Sequence, residues 1–328
     1  MSKKYNWAIL GCGGIAKKFS IELKGLSNAN LYATASRNLE NAQDFASEFG
    51  FEKAYGSYQK MVEDPNVDVV YIATPHTFHF EHTLLCLNHK KAVLCEKAFA
   101  INSREVKQMI AASKANNTFL MEAFWVAFRP KLLKVHELIK TENLGKLKFV
   151  RSDFMFNGEY NPKNRLYNID LGGGSLLDIG IYPVFTALHF LGTPNEIKTI
   201  AHFSPTGSEE TISIIFGYKN GEMALLNSSF DANYKNDVDL AFENGYIKYH
   251  RFSSEPIELH KNDTTQLIDF DAGPNMGYQF EAIHLMECLD NNLLESPILP
   301  HSFSLKLMET LDAIRKDAGI VYPNHDSI

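Results

Sequence analysis

The chain has 328 residues, 45% hydrophobic and 22% charged, a balance that fits a globular protein and a length that favours two domains. Its 32 basic and 39 acidic residues leave a net charge of −7 with no lysine or arginine block, which argues against a nucleic-acid or anionic-membrane surface. Cys12, Cys86, Cys95 and Cys288 have no metal-like spacing and read as reduced thiols of a cytoplasmic protein; an early strand at Trp7 leaves no room for a signal peptide, and no apolar run approaches the roughly 20 residues of a membrane span.

The first 120 or so residues alternate strand-like and helix-like segments. The strand "WAIL" runs into glycines and a helix ending near Lys24, followed by the strand "NLYATAS". The helix "LENAQDFASEFG" places Leu39, Ala42, Phe45, Ala46 and Phe49 on one face and stops at Gly50. "VDVVYIAT" and "AVLCE" are continuous apolar runs, as expected of parallel strands covered on both faces. The helix "NSREVKQMIAASKANN" presents Val106, Met109, Ile110 and Ser113 on one side and leads into the strand "TFLME". This alternation predicts βαβ units and a doubly wound parallel sheet over residues 1–123.

Beyond that boundary the pattern changes. A helix over about Pro130–Lys140 precedes the strand "KFVRSDFMF". Two segments then carry Asn220-Gly221 and Asn244-Gly245 between strand-like arms, the residue pair that tolerates the positive φ angles of tight hairpins. Helices return at "GYQFEAIHLMECLDNN" and "FSLKLMETLDAIRKDAG". Residues 124–328 therefore read as an α+β substrate-binding domain around a large, mainly antiparallel sheet.

"ILGCGGIAKKF" contains G-x-G-x-x-A directly after the first strand and at the start of a helix. Gly11 permits the tight turn, Gly13 lets the backbone approach a pyrophosphate, and Ala16 allows close helix–strand packing. The helix start supplies amides and a positive dipole end, so Gly11, Gly13, Gly14 and Ile15 are assigned to a nicotinamide dinucleotide. At the end of the second strand, where NAD enzymes place an acid, stands "ASRN". Ser36 and Arg37 suit the extra phosphate of NADP, which makes NADP the preferred cofactor and NAD the second choice; a solvated loop charge is the alternative role of Arg37.

Glu96 and Lys97 follow "AVLC" on the carboxyl side of the sheet, the edge that faces ligands in open α/β folds. Thr74, Pro75 and His76, behind "VDVVYIAT", border the same crevice. His76, His79 and His82 recur at three-residue spacing, but no cysteine or carboxylate completes a metal ligand set, and no metal is assigned. In "DLGGGSLLDIGIYPV", Asp178 and Tyr182 are four apart and share a face of a helix, while Gly172, Gly173 and Gly174 allow close backbone approach before it. Taken singly, each reads better as an ordinary feature: a glycine loop, a capping acid and an amphipathic tyrosine.

Together, "GCGGIA", "CEKAFA" and "GGGSLLDIGIYP" resemble the glucose–fructose oxidoreductase and inositol dehydrogenase family over essentially the whole chain. "MEAFWVAFRP" is most similar to its branch of dimeric dihydrodiol dehydrogenases and NADP-linked D-xylose dehydrogenases. The family's Glu-Lys-Pro is here Glu96-Lys97-Ala98, which keeps the charged pair in a less rigid turn; Tyr182 matches the dihydrodiol branch, where many other members carry histidine. The resemblance implies that Lys97, Asp178 and Tyr182 form the catalytic group of a dehydrogenase acting on an aldose or cyclic diol, with hydride transfer at the domain interface. Glu96, Lys97, His76 and His79 are grouped with the cofactor, the resemblance lets both histidines reach the substrate, and His82 reads as a helix residue. The strand-rich second half, whose sheet needs a cover, predicts a homodimer joined through the exposed sheet face, and the resemblance points the same way.

The chemistry agrees with that expectation. Alcohol oxidation needs a base, and a tyrosine of reference pKa about 10 is poor near neutrality. An ammonium beside it lowers that value by up to about three units, a ceiling because burial opposes the shift. Trp125, Phe154, Asn157 and Phe280 are candidate pocket walls, with core packing the alternative for the aromatics. The rival reading is a cofactor-binding sensor without turnover on the same fold.

Overall fold

The computed structural model describes residues 3–273 and 276–326, which divide into two compact units. The first runs to Phe128 and includes the later segment ending at Leu305; the second is Arg129–Gly273 with the stretch from Lys306. The two-domain organisation expected from sequence is therefore traced differently: the first division falls five residues later than 123, and residues 276–305 return to the first unit.

In the first unit, strands and helices alternate as β1 (Tyr5–Leu10), α1 (Gly14–Leu23), β2 (Ala29–Ala35), α2 (Leu39–Phe49), β3 (Lys53–Tyr55), α3 (Tyr58–Val62), β4 (Val69–Ile72), α4 (His79–Asn88), β5 (Ala92–Glu96), α5 (Ser103–Asn116) and β6 (Leu120–Ala123). The six strands are parallel in the order β3-β2-β1-β4-β5-β6. This order reverses between β1 and β4, the switch point beyond Leu10 and Ile72 where open α/β sheets bind ligands. Short β3 carries too little apolar sequence to be seen in advance. The helices follow their caps: the Asn38 side chain accepts from the Glu40 amide at 2.8 Å, and Gly50 ends α2 in the left-handed region at φ 87°. Ala42, Phe45, Ala46 and Phe49 are buried as the periodicity requires, but Leu39, in the first turn, is exposed.

The return of residues 276–305 to this unit has a local cause. The Glu22 carboxylate of α1 accepts the amides of Met276, Gly277 and Gln279 at 3.0, 3.1 and 3.0 Å, capping a later helix, Tyr278–Asp290. Beyond it the Leu120 amide donates to Leu294 O at 3.1 Å and His301 Nε2 meets Leu120 O at 2.8 Å, so the segment occupies polar groups on the β6 edge.

The second unit begins with α6 (Pro130–Thr141), with proline in its first turn, and β7 (Leu147–Met155). After a loop, a π-helical turn, Leu176–Gly180, continues into α7 (Ile181–Leu191). Then come β8 (Glu196–Phe203), β9 (Glu209–Gly217), β10 (Met223–Ser229), β11 (Asp237–Phe242), β12 (Gly245–His250), β13 (Ile257–Lys261) and β14 (Thr264–Ile268). The capped Tyr278–Asp290 helix is α8; α9 (His301–Ala318) and α10 (Pro323–Asp326) end the described chain. The eight strands run β14-β13-β12-β11-β7-β10-β9-β8, antiparallel except for the β7–β10 pair. Both Asn-Gly segments form hairpins, β9–β10 and β11–β12. Around the second, Gly245 has no room for a side chain, because a Cβ would strike His260 O on β13.

Helix α7 packs on the sheet's inner face and is almost wholly buried. With the turns before it, Ile169–Leu191 is a 23-residue helical stretch apolar enough to cross a membrane, longer than the sequence reading allowed; 83% of its most apolar window is buried inside the protein.

Candidate active site

Both units carry candidate site residues. In the first, Gly11 sits at φ +97° immediately beyond β1, its amide donating to Ala35 O at 3.0 Å. A Cβ there would lie 2.9 Å from Thr74 Cγ2, so only glycine fits between the β1 and β4 loops. Gly13 caps α1 without any side-chain hydrogen bond, no acid occupies the first helical turn, and a Cβ on Gly14 would meet nothing within 4 Å. Gly14 and Ile15 thus open the helix into uncrowded space, a cradle that fits a dinucleotide pyrophosphate.

Ser36 and Arg37 stand past the end of β2. The Ser36 hydroxyl accepts the Asn38 amide at 3.3 Å and retains its own proton to donate. Arg37 is exposed, its guanidinium 5.9 Å from the centre of the Phe78 ring.

The histidines are more structural than their spacing suggests. His79 is fully buried, with Nδ1 2.8 Å from Ala98 O and Nε2 2.8 Å from Thr74 O; it ties the β4 loop to the Lys97–Ala98 turn. Both ring nitrogens are thereby engaged by carbonyls. His82 reaches Thr74 Oγ1 from α4 at 3.0 Å, and burial pushes its pKa down to about 4. His76 is buried at the start of the short helical turn after Pro75, edge-on to His79. No group of three histidine, cysteine or acidic side chains is clustered as a metal set among the described residues.

Glu96, at the end of β5, accepts the Tyr71 hydroxyl and, at 3.2 Å, the Lys97 amide. Lys97 is half-buried directly behind it, and its peptide bond to Ala98 is cis. Glu122, at the end of β6, was not anticipated: burial pushes its carboxyl up to about 7, against hydrogen bonds from Ser304 and the Phe99 amide. Trp125 packs against Tyr278 at 4.8 Å, and Phe280 is half-buried in the first turn of α8.

In the second unit, Tyr182 lies in the first turn of α7, 5% exposed, with its ring 5.5 Å from both Phe154 and Phe252. The Phe154 and Phe252 rings are 4.8 Å apart, so the three form one aromatic cluster; Phe252 carried no sequence signal. Asp178 sits in the preceding π turn, not on a regular α-helix, and pairs with Arg165 at 3.0 Å, a partner the sequence did not mark. Asn157 is exposed, joined to the strand region by a backbone bridge to Asp231 and by its amide to Asn233 Oδ1.

The glycine triplet serves this turn. A Cβ on Gly173 would lie 2.7 Å from Asn168 O, and one on Gly174, at φ +129°, would collide with the Glu209 carboxylate. Glu209 in turn accepts the Leu176 amide at 2.7 Å, fixing the start of the π turn. The close approach predicted for these glycines is therefore made by the chain's own residues.

Comparison with known proteins identifies the family and the fold. Residues 5–124 match the model of the GFO/IDH/MocA oxidoreductase family with its NAD-binding Rossmann fold, and residues 132–248 match the GFO/IDH/MocA C-terminal domain. The trans-1,2-dihydrobenzene-1,2-diol dehydrogenase of Xenopus laevis is 36% identical over 330 residues, covering 97% of this chain and 99% of that one. A 3-ketoreductase from Actinomadura kijaniata, solved with NADP and TDP-benzene, superposes with a TM-score of 0.87 at 22% identity over 96% of this chain and 98% of its own. A levoglucosan dehydrogenase solved with NADH gives 0.88 at 18% identity over 97% of each chain. At such identities the two structures establish the fold. The chain belongs to the GFO/IDH/MocA oxidoreductase family and is an NAD(P)-dependent dehydrogenase acting on a CH–OH group.

Proposed function

We propose that this family member is an NADP-preferring dehydrogenase of a sugar or cyclic diol, with Lys97, Asp178 and Tyr182 as its catalytic group. The observation that carries the reading is the setting of Tyr182: a phenol in an aromatic cluster with Phe154 and Phe252, following a turn that holds an arginine-paired carboxylate. Names of the relatives support the substrate class, since they act on a dihydrodiol and on levoglucosan.

Gly11, Gly13, Gly14 and Ile15 hold the pyrophosphate, Ser36 and Arg37 the ribose phosphate, and Thr74, Pro75, His76, His79, Glu96 and Lys97 border the nicotinamide end. The bound nicotinamide supplies the hydride acceptor. Tyr182 takes the proton of the substrate hydroxyl as general base. Lys97 favours the phenolate by its charge and donates a hydrogen bond to the substrate oxygen. Asp178 orients the reacting group, and Arg165 fixes Asp178. Trp125, Phe154, Asn157 and Phe280 wall the substrate.

The outer sheet face leaves Ile200, Ile215 and Met223 exposed at 81%, 43% and 45%, which supports a homodimer joined there. All four cysteines are free thiols, in keeping with a cytoplasmic enzyme.

The test is cofactor reduction with a panel of aldoses and cyclic diols, using NADP and NAD. NADP-linked turnover of at least one substrate is expected. Cofactor binding without turnover of any panel member would favour a sensor on the same fold.

A further inference from the structure

A buried arginine, Arg251, grips the residue that the proposed function makes the base. It follows β12 and is 5% exposed. Nη1 donates to Thr186 Oγ1 at 2.8 Å and to the Tyr182 carbonyl at 3.4 Å, and Nη2 donates to Ser152 Oγ on β7. Thr186 Oγ1 also donates to the Tyr182 carbonyl, at 2.9 Å. The next residue, Phe252, packs its ring at 90° against Tyr182, so two consecutive side chains hold that tyrosine by its backbone and by its ring.

Among the described residues, every hydrogen-bond acceptor of the Arg251 guanidinium is a neutral oxygen, and Nε has no partner. A buried cation without a carboxylate costs free energy that a nearby anion would offset. An arginine used only as a strut would gain from a buried acid.

We infer that Arg251 is a positioning residue for Tyr182, fixing the first turn of α7 through its carbonyl and holding a positive charge that favours the phenolate. The inference rests on the reading of Tyr182 as the base. Electrostatics agree: burial pulls the arginine's own pKa down to about 10, and Tyr249, Tyr182 and Asp153 oppose that fall. The other charged groups around the pair are already engaged. Asp153 faces Arg151 at 3.0 Å, and Asp178 faces Arg165 at 3.0 Å. Arg129 donates to Arg251 O at 2.9 Å, and Lys131 to the carbonyl of His250 at 3.0 Å.

The test is a tyrosinate absorbance titration of the cofactor-free protein, taken as the difference between wild type and Tyr182→Phe, repeated with Arg251→Lys and Arg251→Gln. The wild-type phenol is expected to titrate below the roughly 10 of free tyrosine. Arg251→Gln should raise that value by about one unit or more, and shift the acid limb of the pH–rate profile upward equally, whereas Arg251→Lys should move both far less. A merely structural role would lower turnover and melting temperature in both variants with neither value moved, and that result would overturn the inference. A wild-type titration above free tyrosine would overturn it even if no Arg251 variant folds. If Tyr182→Phe keeps its turnover, the catalytic reading fails instead, and the titration still reports whether the two side chains are coupled.

Discussion

Arg165 Nη1 lies 3.0 Å from Asp178 Oδ1, a pair between a half-exposed loop arginine and a carboxylate buried in the π turn before Tyr182. Because the arginine is 54% exposed, solvent screens the pair, and it contributes at most about 1 kcal/mol to stability. In the proposed mechanism its larger effect is on the orientation of Asp178. Arg165→Ala is expected to lower kcat/KM about tenfold while moving Tm by less than about 3 °C. Steady-state kinetics beside a thermal melt checks this, and an unchanged kcat/KM would remove Arg165 from the site.

The proposed NADP preference places cofactor choice in the loop after β2. Arg37→Ala should weaken NADP binding about five- to tenfold, a charge-assisted hydrogen bond discounted for exposure, and leave NAD binding unchanged. Dissociation constants from cofactor fluorescence quenching measure both. Equal wild-type affinities for NADP and NAD would contradict the assignment of Ser36 and Arg37.

The glycine triplet and Glu209 make a paired stability prediction. Gly174→Ala puts a methyl group at φ +129° into the Glu209 carboxylate and is expected to cost about 2 kcal/mol or more in denaturant unfolding. Burial pushes the Glu209 carboxyl up to about 7, against the Leu176 amide, so the folded protein binds a proton that the unfolded chain releases near 4. Its contribution is therefore fully present below about pH 4 and is lost as pH rises through about 7. Glu209→Gln should flatten that part of the unfolding free energy's pH dependence; an unaltered slope between pH 5 and 7, roughly the window set by these values, would show that Glu209 does not carry it.

Association is tested by light scattering at micromolar concentration. A homodimer predicts twice the 37.1 kDa chain mass, and Ile200→Lys with Ile215→Lys should return it to one chain. A wild-type particle of single-chain mass would contradict the proposed sheet contact.

Much of the fold was legible because its signals are local. Continuous apolar runs marked β4 and β5, Gly50 marked the end of α2, and Gly11 to Ala16 announced the cradle before any contact was known. What escaped depends on contacts distant in sequence. The periodicity of α8 shows an amphipathic helix but not what it covers, and its cap, Glu22, lies 254 residues before Met276. The π turn at Asp178 is shaped partly by Gly180, where a Cβ would lie 2.8 Å from Ser228 Oγ, so regular helical spacing misjudged that stretch. Arg251 in "YHRFSSEP" looks like any loop arginine; only the packing of α7 on β7 buries it.

The most direct test of the central claim is the turnover number of Tyr182→Phe on the best substrate found, with cofactor binding checked by fluorescence and Lys97→Met measured beside it across pH. Loss of a positioned acid–base group predicts a fall of about a hundred- to ten-thousandfold for Tyr182→Phe at nearly unchanged cofactor affinity. Residual activity of Lys97→Met should move to higher pH, because the phenol has lost a cationic neighbour. Near wild-type turnover by Tyr182→Phe would contradict the account and pass the base's role to Lys97, because both ring nitrogens of His79 are engaged by backbone carbonyls.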